Sequence, residues 1–289
     1  MKKIIILGCE NSHADQFLNF ITKMPEYADV EVAGIYSDER DTAERLSNIF
    51  GVKVMDNYDS DVGEIDGVII TARHGDNHLK YAIPYIGKGI PMFIDKPITC
   101  DGNEAVEFMR EAKKYGVRLC GGSSCKYLPG VVDMAKEIAD GAYGAVRGGN
   151  VCAPLAMTSP YGGFYFYSQH LVQMMTTIFG NDVEEVSAIA CNNEAAFVAK
   201  YKDFPITGSF SSEGWYYHAT VFGGKGLKAD KFEFTSYPFE CELDDMYDLL
   251  CGKEMKETYD EFIRSVFILN ALDASMKSGK AEKVNVIPV

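Results

Sequence analysis

No stretch of this chain approaches the roughly twenty apolar residues needed to cross a bilayer. The opening MKKIIILGC has the look of a secretion leader, but its apolar part is only Ile4 to Leu7, against about seven to fifteen residues in a leader. A first strand and a cytoplasmic location are expected instead. Among the eight cysteines no two form C-x-x-C, and the closest pair is Cys120 and Cys125. Zinc sites need ligands clustered at short spacing, so no metal centre is expected, and scattered thiols read as reduced. Basic residues are scarce: 28 Lys and Arg against 42 Asp and Glu give 28 − 42 = −14. Such a charge repels phosphate backbones and argues against nucleic-acid binding. Residues 240–261 hold nine acids against two lysines, which reads as a solvated helix face rather than a cation site.

What the chain does have is alternation. Apolar, strand-like runs occur at KKIIILG (2–8), VEVAGIYS (30–37), IDGVIITA (65–72), PMFIDKPIT (91–99) and VRLCGG (117–122). Helical patterns stand between them at DTAERLSNIFGV (41–52), HLKYAIPYIGKG (78–89) and GNEAVEFMREAKKYG (102–116). Such alternation implies a parallel, doubly wound sheet of the Rossmann type. Beyond it, residues 211–237 carry turn-marking glycines at Gly223, Gly224 and Gly226, as expected of an antiparallel sheet. A length of 289 residues suits two domains. The expected division is 1–122 for the parallel α/β domain and 123–289 for an α+β domain with a large, mostly antiparallel open sheet. The turn at Gly121 to Ser124 would be the boundary.

Lys96 closes one of the apolar runs, where Asp95 and Pro97 interrupt it. Ligands of open α/β sheets bind at the carboxyl ends of the strands. A lysine there can polarise a substrate hydroxyl. The plainer alternative is a strand-end salt bridge with Asp95.

Taken together, several stretches resemble the Gfo/Idh/MocA family of NAD(P)-dependent oxidoreductases. IDKP is similar to that family's Glu-Lys-Pro, with Asp95 for the glutamate. His78 precedes it at the family's histidine position, and ERLSNIFGVKV (44–54) resembles the helix and turn after the second strand. Residues 126–151 resemble the crossover into the second domain, GGFYFYSQH (162–170) the helix bearing the catalytic histidine, and 271–286 the closing helix and strand. The resemblance implies NAD or NADP held by Gly8, Asn11, Ser12, His13, Ser37, Asp38, Thr71, His78 and Asp95. It also implies Lys96 and His170 as catalytic residues, and a homodimer or homotetramer formed through the open sheet.

Two sites depart from the pattern. Where G-x-G-x-x-G is usual, the chain reads Gly8, Cys9, Glu10, Asn11, Ser12, His13. Glu10 brings a side chain towards the place of the two phosphates, so cofactor binding is either modified, with Asn11 and Ser12 capping the helix and His13 facing the ligand, or lost. Ser37 and Asp38 stand where an acid usually meets the adenosine ribose; Arg40 would be the charge to offset Asp38 if NADP were bound, and Ser37 and Asp38 could equally cap a helix. On the substrate side, Phe166 replaces the acid four residues before His170, and Gln173 stands three residues after it. Tyr165 and Tyr167 are candidate helpers that contact substrate alongside Lys96 and His170. A second aromatic group, Trp215, Tyr216, Tyr217 and His218, is expected on a strand, lining sugar or an oligomer contact. The expected activity is hydride transfer between a nicotinamide cofactor and a sugar, cyclitol or related polyol. The alternatives are a non-catalytic ligand-binding or regulatory protein, or a non-redox lyase or isomerase of sugar acids.

Overall fold

Ile4, Ile5, Ile6 and Leu7 are all fully enclosed, so successive side chains on both faces of the first strand are buried. That is the pattern of a parallel sheet covered by helices on each side. The computed structural model describes residues 1–289. Its first part runs β1 (Lys2–Leu7), α1 (Ser12–Lys23), β2 (Val30–Tyr36), α2 (Arg40–Phe50), β3 (Gly67–Ile70), α3 (Asp76–Ile86), β4 (Met92–Asp95), α4 (Gly102–Lys114) and β5 (Leu119–Gly122). Its second part runs α5 (Pro129–Ala139), β6 (Val146–Pro154), α6 (Tyr165–Phe179), β7 (Glu185–Cys191), β8 (Glu194–Lys200), β9 (Pro205–Ser211), β10 (Tyr217–Gly223) and β11 (Gly226–Phe232). The chain closes with α7 (Tyr237–Leu250), α8 (Tyr259–Phe262), α9 (Arg264–Ser278) and β12 (Glu282–Lys283).

The first five strands form a parallel sheet in the order β2-β1-β3-β4-β5. Strand order reverses at β1 and β3, and the crevice beyond their carboxyl ends is where ligands of such sheets sit. Gly8 leaves β1 at φ +76°, and a Cβ there would lie 2.4 Å from the Ala72 backbone. This glycine is thus required by the approach of two chain segments, whatever the crevice binds.

The other seven strands form one sheet in the order β11-β10-β6-β9-β8-β7-β12, antiparallel except for β6 beside β9. Its inner face packs on α5, α6 and α9; in β10 Tyr217, Ala219 and Val221 point inward and are buried. Trp215 and Tyr216 precede β10 in an exposed turn, so only Tyr217 and His218 of that aromatic group lie on the strand.

Helices α7 and α8 belong to the later sequence but clothe the first sheet. Leu243, Met246 and Leu249 of α7 pack with Phe17 and Leu18 of α1, while Phe262 of α8 packs with Phe108 of α4. This return corrects the expectation for the acidic run. Glu242 is fully buried and Asp245 nearly so, because α7 lies between the sheet and the turn at Ser124–Tyr127 rather than along the surface.

Candidate active site

The carboxyl end of β4 and the start of α6 meet across the cleft between the two sheets. They enclose a cavity of about 770 Å³ lined by Lys96, His170, Tyr167, His13, Arg73 and Trp215, among others. Lys96 and His170 therefore face one space, although 74 residues separate them (170 − 96). Lys96 is 4 % exposed and forms no salt bridge with Asp95, whose Oδ1 instead accepts the backbone N–H of Lys96. The Lys96 ammonium donates to the Phe166 carbonyl at 3.3 Å. It also lies 4.3 Å from the centre of the Phe166 ring and 5.3 Å from that of Tyr167. Phe166, unable to transfer a proton, thus holds the lysine through its carbonyl and its π face. Burial pushes the Lys96 pKa down, with Asp95 opposing it.

His170 Nδ1 is 2.6 Å from the Ser123 hydroxyl. Gln173 accepts from the Ser123 backbone N–H and from Gln169, so the residue standing in the usual place of an acid fixes the turn that orients the histidine. Burial, then the nearby Lys96 charge, holds the His170 pKa well below the ordinary imidazole value. The result is a neutral ring beside an ammonium, the arrangement of a base and an electrostatic partner.

Only one of the two candidate tyrosines reaches this space. Tyr167 lines the cavity, 5.4 Å from the ring centres of both His170 and Trp215. The Tyr165 hydroxyl donates to Asp273 and accepts from Asn270, on the side of α9. Two residues along a helix turn through about 200°, which sends neighbouring odd positions to opposite sides. Tyr165 is accordingly removed from the substrate residues.

The altered glycine turn is partnered on every side. Glu10 accepts from the Ser37 hydroxyl at 2.7 Å and from the Arg73 backbone N–H at 3.0 Å, tying the ends of β2 and β3 to the turn. Asn11 leaves α1 without a side-chain cap, because its amide donates to Asp95 at 2.7 Å. Ser12 lines the cleft, and its hydroxyl lies 3.3 Å from Asn11 Oδ1. His13 stands with Nδ1 3.3 Å from Asp95 and Nε2 3.3 Å from Glu242, and its ring meets Phe239 edge-on. Burial lowers the His13 pKa, raises that of Asp95 to about 6 and raises that of Glu242 well above the usual carboxylate range.

The other expected cofactor residues divide. Asp38 accepts from Tyr36 and Tyr81, and it borders a second cavity of about 430 Å³ together with Glu10, Glu39, His74, Asp76, Asn77 and Tyr161. Ser37 caps the chain ahead of α2 by accepting from the Glu39 N–H. Arg40 turns to Glu44 and the Met55 carbonyl, so it does not offset Asp38. Thr71 is enclosed and donates to the Gly8 carbonyl. His78 is also enclosed, its nitrogens 2.9 Å from the Ala72 carbonyl and 3.2 Å from that of Ile98. It borders neither cavity, and its place is in joining two loops rather than touching a ligand.

Arg73 and Tyr161 join the site from outside the expected residue set. The Arg73 guanidinium donates to the Tyr161 hydroxyl at 3.0 Å, and that hydroxyl donates to Glu39 at 3.1 Å. The bridge stands between the two cavities. Arg73 carried no motif signal; Tyr161 was visible only as one aromatic of many.

Residues 2–123 match the family described as "Oxidoreductase family, NAD-binding Rossmann fold". Among curated proteins, glucose-6-phosphate 3-dehydrogenase of Bacillus subtilis is 27 % identical over 131 residues, 44 % of this chain and 35 % of that one. The match thus spans about a third of that relative. Two solved structures extend the likeness to the whole fold. Myo-inositol 2-dehydrogenase from Lactobacillus plantarum superposes with a TM-score of 0.85 at 17 % identity, over 98 % of this chain and 99 % of that one. Scyllo-inositol dehydrogenase from Lactobacillus casei, solved with NAD(H) and scyllo-inositol, gives 0.84 at 15 % identity, over 98 % and 99 %. Residues 2–123 thus match that NAD-binding oxidoreductase family, and the chain as a whole shares the two-domain fold of the two inositol dehydrogenase structures.

Proposed function

We propose that the protein is a nicotinamide-dependent oxidoreductase of a sugar, cyclitol or related polyol. The observation that carries this reading is the meeting of Lys96 and His170 on one buried cavity at the carboxyl end of the parallel sheet. Residues 1–122 would hold the cofactor, and residues 123–289 would supply His170 and the substrate wall.

The residues at the crevice fit a dinucleotide in modified form. The first-turn N–H groups of α1 have no partner within the helix and suit a diphosphate. Ser12, which lines the cleft, adds a hydroxyl beside them. The second cavity, with Asp38 and Glu39, suits hydroxyls of a ribose and repels a 2′-phosphate, so NAD is the proposed partner rather than NADP. When bound, the cofactor supplies the hydride chemistry. The Lys96 ammonium lies against the reacting hydroxyl and favours its ionised form. His170 Nδ1 is held by Ser123, which leaves Nε2 to take the proton in oxidation and return it in reduction. The aromatic wall excludes water from both groups.

NADH titration followed by fluorescence tests the assignment. Saturable binding is expected, with NADP(H) at least tenfold weaker; absence of binding by either dinucleotide would sink it. Glu10→Gly should bind NADH as well as the parent or better, since backbone approach becomes easier. A tenfold loss would instead give the carboxylate a direct role at the ribose.

The open face of the second sheet supports association of like chains. Phe222 and Leu227 lie opposite each other on it, and with Ile189 and Val198 they are 42 to 69 % exposed. We propose a homodimer or homotetramer through this face, in a protein that works in the cytoplasm. Sedimentation should show a species that Phe222→Glu converts to monomer; a monomeric parent would refute it.

A further inference from the structure

We propose that the cleft takes an anionic sugar, one carrying a carboxylate or a phosphate, and that Arg73 is the group that holds the anion. This rests on the oxidoreductase reading and names the substrate class of the same site.

The charge of the cavity runs against that of the chain. In a protein of net charge −14, the charged residues lining the cleft are Arg73, Lys96 and Lys231 against Glu233 alone, with two histidines. The neighbouring cavity, beyond the Tyr161 bridge, is bordered by Glu10, Asp38, Glu39 and Asp76. Opposite signs thus lie on the two sides of one hydroxyl. A cleft lined by one sign and walled by apolar groups concentrates ligands of the other sign.

Arg73 is the cation with capacity to spare. Its side chain donates to the Tyr161 hydroxyl and stacks 5.1 Å from that ring. A phenol is a neutral acceptor, and no carboxylate lies within salt-bridge distance of the guanidinium. A guanidinium offers five N–H donors in a planar fork matched to carboxylate or phosphate oxygens. Lys96 is committed to the reacting hydroxyl, and Lys231 stands exposed at the rim. A neutral polyol would leave the half-buried Arg73 guanidinium without a counter-charge at the cleft.

Asp95 and Glu242 stand behind Lys96 and do not line the cavity. Burial holds Glu242 towards its uncharged form, while Asp95, raised to about 6, offsets the charge of Lys96. The remaining features suit the sugar ring. Ser124 lines the cavity with a buried hydroxyl that has no hydrogen-bond partner. Tyr167 and Trp215 offer adjacent aromatic surface for a ring face.

Calorimetric titration of the full-length protein, with and without NADH, tests this using glucuronate and glucose 6-phosphate against glucose and myo-inositol. At least one anion should bind tenfold or more tightly than either neutral sugar, with the preference shrinking as salt is raised. Which of the two binds better separates carboxylate from phosphate. In Arg73→Ala and Arg73→Gln the preference should fall to less than twofold while NADH affinity holds; Lys231→Ala should reduce it about threefold. Neutral sugars binding as well as the anions would overturn the inference. So would an Arg73 variant that loses NADH affinity and keeps the sugar preference, since Arg73 would then serve the cofactor diphosphate. Anion preference without any NADH binding would uphold this inference and remove the oxidoreductase reading.

Discussion

Lys96→Ala should leave no measurable turnover of the sugar while nicotinamide binding stays within a few-fold of the parent. The ammonium sits at the cleft with its charge held by the Phe166 carbonyl and two aromatic faces, so the reacting hydroxyl would lose the one cation placed to stabilise its ionised form. Electrostatic groups of this kind and positioned acid–base groups each contribute about a hundredfold to ten-thousandfold. Lys96→Met is the sharper variant, because it keeps the aliphatic stem packed on Phe166 and Tyr167 and removes only the charge. His170→Ala should cost about a hundredfold or more. Burial and the Lys96 charge hold the His170 pKa well below its ordinary value of 6.5, so its base form persists at and below neutrality. The oxidation rate should therefore stay level as pH falls through 6.5 rather than halving there. Absorbance of the reduced nicotinamide follows all of these. Turnover retained in Lys96→Met would refute the mechanism as drawn.

Glu242→Gln should stabilise the protein at pH 8 and do little at pH 4. The Glu242 carboxyl is fully enclosed with neither oxygen hydrogen-bonded, and burial raises its pKa well above the model-peptide value of 4.5. The groups facing it are His13 from α1, Asp95 at the end of β4 and Lys96 just after it, Lys126 from the turn after β5, and Asp245 on its own helix. An unfolded chain releases this proton near pH 4.5, whereas the folded one keeps it to higher pH. Unfolding therefore releases a proton above pH 4.5, and stability falls as pH rises towards the folded value. Glutamine does not titrate, so its advantage should grow by about 1.4 kcal/mol per pH unit over that window. His13, His78 and His170, all lowered by burial, act with the opposite sign and lose stability as pH falls below 6.5; they are common to both proteins and largely cancel in the difference. Urea unfolding at pH 4, 6 and 8 measures it. Were Glu242 an ionised partner of a charged His13, glutamine would instead destabilise across neutral pH by several kcal/mol, and that outcome would reverse the assignment.

Local pattern carried the frame of this protein. Ile4 to Leu7, Val68 to Ile70 and Met92 to Ile94 are buried on both faces, and runs of that kind separated by amphipathic helices admit little besides a parallel layered sheet. Lys96 was legible because a strand end in such a sheet is a ligand position wherever the rest of the chain goes. Tertiary structure decided what pattern has no means to encode. Tyr165 and Tyr167 are alike in sequence, and only the packing of α6 against α9 sends one to Asp273 and the other to the cleft. Glu242 reads as one more acid in a run of acids until α7 is laid against α1, which places it beside His13 across 229 residues (242 − 13). Glu10 reads as a lost glycine until Ser37 and the Arg73 N–H are brought to its carboxylate. The physical reason is the same in each case. Periodicity reports which face of an element is buried, whereas a charge or hydroxyl takes its role from partners that distant segments deliver.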